Sequence, residues 1–331
     1  MKAVWYTRQG QAREVLEVGE MPVPEPGPGE VRVRLATSGV NPSDVKSRAL
    51  RPPAFARVVP HSDGAGVIDR LGAGVAASRM GQRVWIWNGQ WQRPQGTAAE
   101  WICVPEAQAV VLPDNTDFAA GACLGIPALT AMHAVQRTER LLGDLRGRQV
   151  LVTGASSAVG HYITQMVAQA GGHVLGTVGS EAKAAHARAA GLQEAIFYKH
   201  EPVAERVKAL TGGQGVDVIV DMDFATASRY ASEGALRPHG QVVCYGSNAA
   251  EVNLVFRPWL FHSLGVQFFL VYDLLPAERE AALRQLDALL RGGRLVHVIG
   301  ARQALEQAAQ AHEAVERGEA MGNVVLDIAS L

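Results

Sequence analysis

From Gln149 onward the chain switches between two rhythms of apolar and polar residues. Short apolar runs, QVLVTG, HVLGTVG, EAIFY, VDVIVDM and QVVCYG, are separated by runs of helical period, AVGHYITQMVAQAG, SEAKAAHARAAG, PVAERVKALTGG and ATASRYASEGAL. Apolar strands alternating with amphipathic helices predict an α/β fold with a doubly wound parallel sheet. Residues 1 to about 120 read instead as strands and loops. VRVRLATSGV (Val31–Val40) begins in period-two alternation, and GAGVIDRLGAGV, GQRVWIWN and AEWICVPEAQAVVLP are short apolar runs bounded by Gly and Pro. MPVPEPGPGE (Met21–Glu30) is too rich in Pro and Gly for anything but a surface connection. DFAAGACLGIPALTAMHAVQR predicts helices broken near Gly125–Pro127. GVQFFLVYDL (Gly265–Leu274) reads as an edge strand, followed by helices PAEREAALRQLDALLRGG and QALEQAAQAHEAVERG and a last strand, NVVLDI. The expected division is residues 1–124 with 266–331 as one domain and 125–265 as the other.

Composition narrows the function classes. At 331 residues, 48% hydrophobic and 19% charged, the chain suits a soluble enzyme of two ordinary domains. A net charge of −1 gives no footprint for nucleic acid or an anionic membrane. The N-terminal residues hold no long apolar run and no stretch of about 20 apolar residues occurs, so a cytoplasmic protein is expected. Cys103, Cys123 and Cys244 lie far apart, which excludes a disulfide framework and a four-cysteine zinc site.

The candidate chemistry begins at VTGASSAVG. A tight turn from strand to helix aims backbone N–H groups and a helix dipole at a pyrophosphate. The three glycine places of G-x-G-x-x-G fall on Ala155, Ser157 and Gly160, so only the last is kept. Ser157 adds a hydroxyl able to donate to a phosphate oxygen, while Ala158 adds bulk alone. Ser156, Ser157, Ala158 and Val159 are the expected contacts. The stretch also resembles the opening of short-chain dehydrogenases, but it stands about 150 residues into the chain, and no tyrosine has a lysine four places on.

About 20 residues past the turn, NAD-binding folds place a carboxylate for the ribose diol. Here Gly179 and Ser180 occupy that place, with Lys183 one helical turn on. Serine and lysine suit a 2′-phosphate, which needs donors. Tyr198, at the end of the next strand, can lie on the adenine or bond that phosphate. Glu181 is near enough to act as a diol ligand, so NADH stays open beside the favoured NADPH.

GVNPSD (Gly39–Asp44), PHSDGAGVIDRLGAGV (Pro60–Val75), GIPALTA (Gly125–Ala131), GASSAVG, GTVGSEAK, GGRLVHVIG and AHEAVERG together resemble the medium-chain dehydrogenase/reductase superfamily, in the quinone oxidoreductase branch that includes zeta-crystallin. The resemblance implies a GroES-like catalytic domain beside a Rossmann domain. It also implies NADPH as cofactor, a homodimer paired through Gly265–Leu274, and a quinone or enone as acceptor. It places Asn41 in the substrate cleft near the nicotinamide, with Thr130, Gly246, Ser247, Phe269, Leu270, Val271 and Asn323 among the cofactor contacts, and Asp44 organising its loop. Zinc members of the superfamily carry a cysteine where this chain has Asn41 and a histidine where it has Ser62, with His61 one place early, so a zinc-independent enzyme is expected. Lys46 stands where branch members commonly carry tyrosine. Facing the cleft, it would pair with an acceptor carboxylate or an enolate; otherwise it is a surface lysine. Trp85, Trp87 and Trp91 offer an aromatic wall for a planar acceptor or simply strand packing. Three readings follow: a reductase of quinones or α,β-unsaturated carbonyls, an enoyl-thioester or acrylate-type reductase, and a cofactor-binding protein without turnover.

Overall fold

In the computed structural model, which describes every residue except 319, the first stretch of chain builds antiparallel sheet. β1 (Lys2–Trp5) and β2 (Glu17–Glu20) pair across a short helix, α1 (Ala12–Val15). Then come β3 (Glu30–Val40), α2 (Pro42–Leu50), β4 (Asp63–Leu71), β5 (Arg83–Ile86), β6 (Trp101–Pro105), β7 (Ala109–Val111) and α3 (Phe118–Gly121). Val31, Val33 and Leu35, alternate residues of β3, pack with Ile68, Val84, Ile86 and Ile102 in one buried cluster, as the period-two pattern requires. The sequence reading missed α2, although its start is written plainly. Asn41 is the N-cap, Pro42 sits in the first turn, and the Asp44 carboxylate accepts from the Asn41 backbone N–H at 2.8 Å.

A widened turn at Leu124–Ala128, holding Pro127, leads into α4 (Leu129–Leu142). Strand and helix then alternate: β8 (Gln149–Val152), α5 (Ala158–Gln169), β9 (His173–Val178), α6 (Glu181–Ala189), β10 (Glu194–Phe197), α7 (Val203–Leu210), β11 (Val216–Asp221), α8 (Phe224–Ser232), β12 (Leu236–Cys244), α9 (Phe256–Phe261), β13 (Gly265–Phe268) and α10 (Pro276–Arg291). The six strands form one parallel sheet in the order β10-β9-β8-β11-β12-β13. Leu151, Leu175, Ile196, Ile219 and Val242 are fully buried in its core. This is the Rossmann architecture, and strand order reverses beside β8, where such sheets hold ligands.

The chain ends with β14 (Ile299–Ala304), α11 (Ala308–Arg317) and β15 (Asn323–Asp327). β15 runs antiparallel to β3, giving a seven-stranded sheet in the order β14-β15-β3-β4-β5-β7, with β6 also on β3. β14 escapes the sequence reading because its last residues, Gln303 and Ala304, resemble the start of the next helix.

The two compact units are Met1–Pro127 with Asp287–Leu331, and Ala128–Leu286. The second boundary therefore falls at 286/287 rather than the expected 265/266. The reason is hydrogen bonding: β13 pairs with β12 from Gln241↔Gly265 to Cys244↔Phe268 and keeps the following segment with the Rossmann sheet. The predicted edge strand is also shorter than GVQFFLVYDL, since a tight helical turn takes over at Val271–Asp273. Among the described residues no helix is long and apolar enough to cross a membrane.

Candidate functional site

The turn after β8 shows how the missing glycines are tolerated. Ser157 is the N-cap of α5, with φ −74°, and its hydroxyl oxygen accepts from the Gly160 N–H at 3.1 Å. A side chain is an asset there rather than an obstruction, because it satisfies one orphan donor of the helix start and keeps its own proton to donate. Ala158 and Val159 follow as the first helical residues, half-buried, and Ser156 is buried just before them. The retained glycine has no substitute: a Cβ on Gly160 would run into the Gly154 carbonyl oxygen. Gly154 itself takes φ +60°, and its N–H donates to the Thr177 hydroxyl at 2.8 Å.

At the end of β9 the expected residues Gly179, Ser180 and Tyr198 come together, with Lys183 in the first turn of α6. Ser180 caps α6, accepting from the Lys183 N–H at 3.4 Å. The Tyr198 hydroxyl lies 3.2 Å from where a Gly179 Cβ would stand, and the Lys199 stem 3.6 Å from the same point. Gly179 thus leaves room for two side chains of the next strand's end. Lys199 was not foreseen, though it directly follows Tyr198. Glu181 pairs with Arg188, at the other end of α6, at 2.6 Å.

The expected nicotinamide contacts in this unit come from two elements and two loops. Thr130 is buried on α4. Gly246, exposed, follows β12, and a Cβ on it would lie 2.6 Å from the Met222 carbonyl oxygen. The Ser247 hydroxyl donates to the Ala249 carbonyl. Phe269 donates its N–H to the Cys244 carbonyl at 3.1 Å and sets its ring edge-on to His133 at 4.7 Å. Leu270 is exposed, and Val271 is buried with its carbonyl held by Arg279 at 2.8 Å. Asp221, buried at the end of β11, has its carboxyl pushed up to about 6 by desolvation. Asn323 stands apart: it lies on β15 in the other unit, and its amide nitrogen donates to the Val298 carbonyl at 2.9 Å.

In the first unit a second constellation forms around Asn41, which is buried at the end of β3. Its side-chain nitrogen donates to the Asp63 carboxyl at 2.8 Å, and its backbone N–H is the one capped by Asp44. Burial pushes the Asp44 carboxyl up to about 7 and the Asp63 carboxyl well above its ordinary range. Beside them runs a buried chain of hydrogen bonds whose protons can be assigned. The Asp63 carbonyl only accepts, so the Thr97 hydroxyl donates to it. Thr97 then accepts from Ser38 at 2.8 Å, and Ser38 from His61 Nδ1–H at 2.9 Å. His61 Nε2 is left to accept from His312 Nε2–H at 2.8 Å. Both His61 nitrogens are engaged, its backbone is held at φ +77°, and burial lowers its pKa to about 3. With Asn41 and Ser62 at the other two positions, these residues do not fit a zinc ion.

Comparison with known proteins agrees with both halves. The family model for the alcohol dehydrogenase GroES-like domain matches residues 27–114, and the zinc-binding dehydrogenase model matches residues 158–288. The quinone oxidoreductase of Pseudomonas aeruginosa is 32% identical, over 95% of each chain. The chain belongs to the quinone oxidoreductases of the medium-chain dehydrogenase/reductase superfamily. A 2-haloacrylate reductase from Burkholderia is 27% identical over 98% of each chain. Among solved structures, an NAD-dependent alcohol dehydrogenase superposes with a TM-score of 0.88 at 31% identity, covering 99% of this chain and 100% of that one. The Escherichia coli quinone oxidoreductase complexed with NADPH superposes at 0.86 and 25% identity, covering 99% and 100%. The protein is thus an enzyme of the oxidoreductase class with a nicotinamide cofactor.

The remaining expected residues fall as follows. Lys46 lies half-buried on α2. Trp85 is 1% exposed on β5, which leaves it to packing rather than to an aromatic wall. Trp87 and Trp91 are half-buried, and the Trp87 indole N–H donates to the Ala107 carbonyl at 3.2 Å. Sequence reasoning missed Asp63 as the partner of Asn41. The only signal was its place in HSDGAG, a stretch weighed for zinc alone.

Proposed function

We propose that this protein is an NADPH-dependent, zinc-independent reductase that transfers hydride to a quinone or an α,β-unsaturated carbonyl. The observation that carries the cofactor choice is the grouping of Ser180, Tyr198 and Lys199 about Gly179, with Lys183 in the first turn of α6, while Glu181 is paired with Arg188. Donors and a cation suit a 2′-phosphate, and a carboxylate already paired with Arg188 is less available to a ribose diol. Ser156, Ser157, Ala158 and Val159 would hold the pyrophosphate. Thr130, Gly246, Ser247, Phe269, Leu270 and Val271 would hold the nicotinamide end, and Asn323 braces the loop before β14. NADPH, when bound, supplies the hydride. Asn41 offers its carboxamide to the acceptor's oxygen, where a fixed donor stabilises developing charge. The engaged nitrogens of His61 support activation without zinc.

A second reading, reduction of acrylates or enoyl thioesters, is favoured by Lys46 on α2 and by the similarity to a 2-haloacrylate reductase. A panel of p-benzoquinone, a simple enone, 2-chloroacrylate and crotonyl-CoA decides between them by NADPH oxidation. Turnover of the quinone or enone, insensitive to EDTA, is the expected result. Turnover confined to the acrylate or thioester supports the second reading, and tight NADPH binding without turnover on any acceptor overturns both.

We further propose that two copies pair through β13. It is the edge strand of the parallel sheet, and Phe256, Phe261 and Phe268 near it are exposed. Sedimentation velocity should show a dimer that Phe268→Pro, at a position whose N–H faces away from β12, converts to monomer; a wild-type monomer contradicts this.

A further inference from the structure

We propose that Asp63 is a positioning residue that holds the Asn41 carboxamide in its working orientation; this rests on the reading that Asn41 takes part in turnover. The two side chains are joined by the 2.8 Å bond from Asn41 Nδ2 to Asp63 Oδ2, both buried. Asp44 fixes the Asn41 backbone from the other side, so backbone and amide are each pinned by a carboxyl group.

Space for the Asp63 carboxyl is kept deliberately open. Gly39 lies opposite Asp63 in the β3–β4 register, and a Cβ on it would come within 3.0 Å of the Asp63 Cβ and run into the Ala122 carbonyl. A Cβ on Gly125 would lie 2.5 Å from Asp63 Oδ1. Three separated stretches, GVNPSD, HSDGAG and GIPALTA, therefore converge on one carboxyl group. The Thr97 hydroxyl, tied to Ser38 and His61, anchors the Asp63 backbone carbonyl. Burying a carboxyl costs stability unless its hydrogen bonds are made, and the side-chain bond made here is to the Asn41 amide. Such a group, given its own space and aimed at the residue proposed to meet the acceptor, is explained by orientation of that residue.

The test is a double-mutant cycle on kcat with NADPH and p-benzoquinone. Asn41→Ala is expected to lower kcat roughly tenfold to a thousandfold. Asp63→Leu should lower kcat by a similar factor while leaving KM for NADPH within about twofold, and Asp63→Asn, which keeps shape and hydrogen bonding, should restore most of the loss. In the Asn41→Ala background, Asp63→Leu should change kcat by less than about twofold. Losses that multiply, or an unaffected Asp63→Leu enzyme, overturn the inference while leaving the role of Asn41 standing. An unaffected Asn41→Ala enzyme overturns both. Should Asp63→Leu fail to fold, isotope-labelled asparagine gives a reading free of activity. The side-chain amide signal missing from Asn41→Ala should shift in Asp63→Asn, and an unmoved signal refutes the contact.

Discussion

The cofactor end of the Rossmann unit and the seat of Asn41 are built on opposite principles. The first is local and open. Ser157 and Ser180 each bond a backbone N–H three residues on, and Tyr198 is 49% exposed. The second is long-range and closed. Asn41, Asp63, Thr97 and His312 come from across the first unit's sequence and are all buried. Recognition of phosphates rides on helix starts, which any short segment can supply. Holding a neutral amide in one place takes several buried polar groups, each of which costs desolvation unless satisfied.

The contrast can be broken at either end. The largest effect is expected from Gly160→Ala, whose methyl meets the Gly154 carbonyl, a backbone atom that cannot step aside. Overpacking of this kind costs about 1–3 kcal/mol, and NADPH affinity should fall by about fivefold to 150-fold if that cost is borne by the bound state. Calorimetry checks the affinity and urea unfolding the stability; near-normal binding would show that the turn has slack. A smaller effect is expected at Asp44. Its folded pKa is raised to about 7 by burial, so the folded protein keeps a proton that the unfolded chain releases near its ordinary value. The Asp44 contribution to stability is therefore full below about pH 4 and declines as pH rises toward 7. Asp44→Asn should remove that decline, gaining stability relative to wild type between about pH 4.5 and about pH 7.5 in urea titrations. A constant difference across that range would place the carboxyl in contact with solvent.

Legibility in the sequence follows the same contrast. The Rossmann unit was readable because strand and helix rhythms are local, and the cluster at Gly179 because its members sit close along the chain or at the ends of adjacent strands. Lys199 needed only the next residue to be considered. The helix after Asn41 was missed although Asn-Pro-Ser-Asp carries a cap, a first-turn proline and a capping carboxylate. The pairing of Asn41 with Asp63 was not readable, because it depends on the register that sets Gly39 against Asp63. The second domain boundary was misplaced for the same reason: nothing within GVQF states that it pairs with β12. Trp85 was ambiguous because one face of a strand looks like the other until the sheet closes over it.

The residues around Gly179 are proposed to select NADPH through its 2′-phosphate. Calorimetric Kd values for NADPH and NADH, measured on wild type and on Lys183→Glu, test it most directly. Tighter NADPH binding is expected in wild type, with a loss of roughly ten- to a hundredfold for NADPH alone in the variant. Equal affinity for the two cofactors in wild type, or equal losses in the variant, would contradict it.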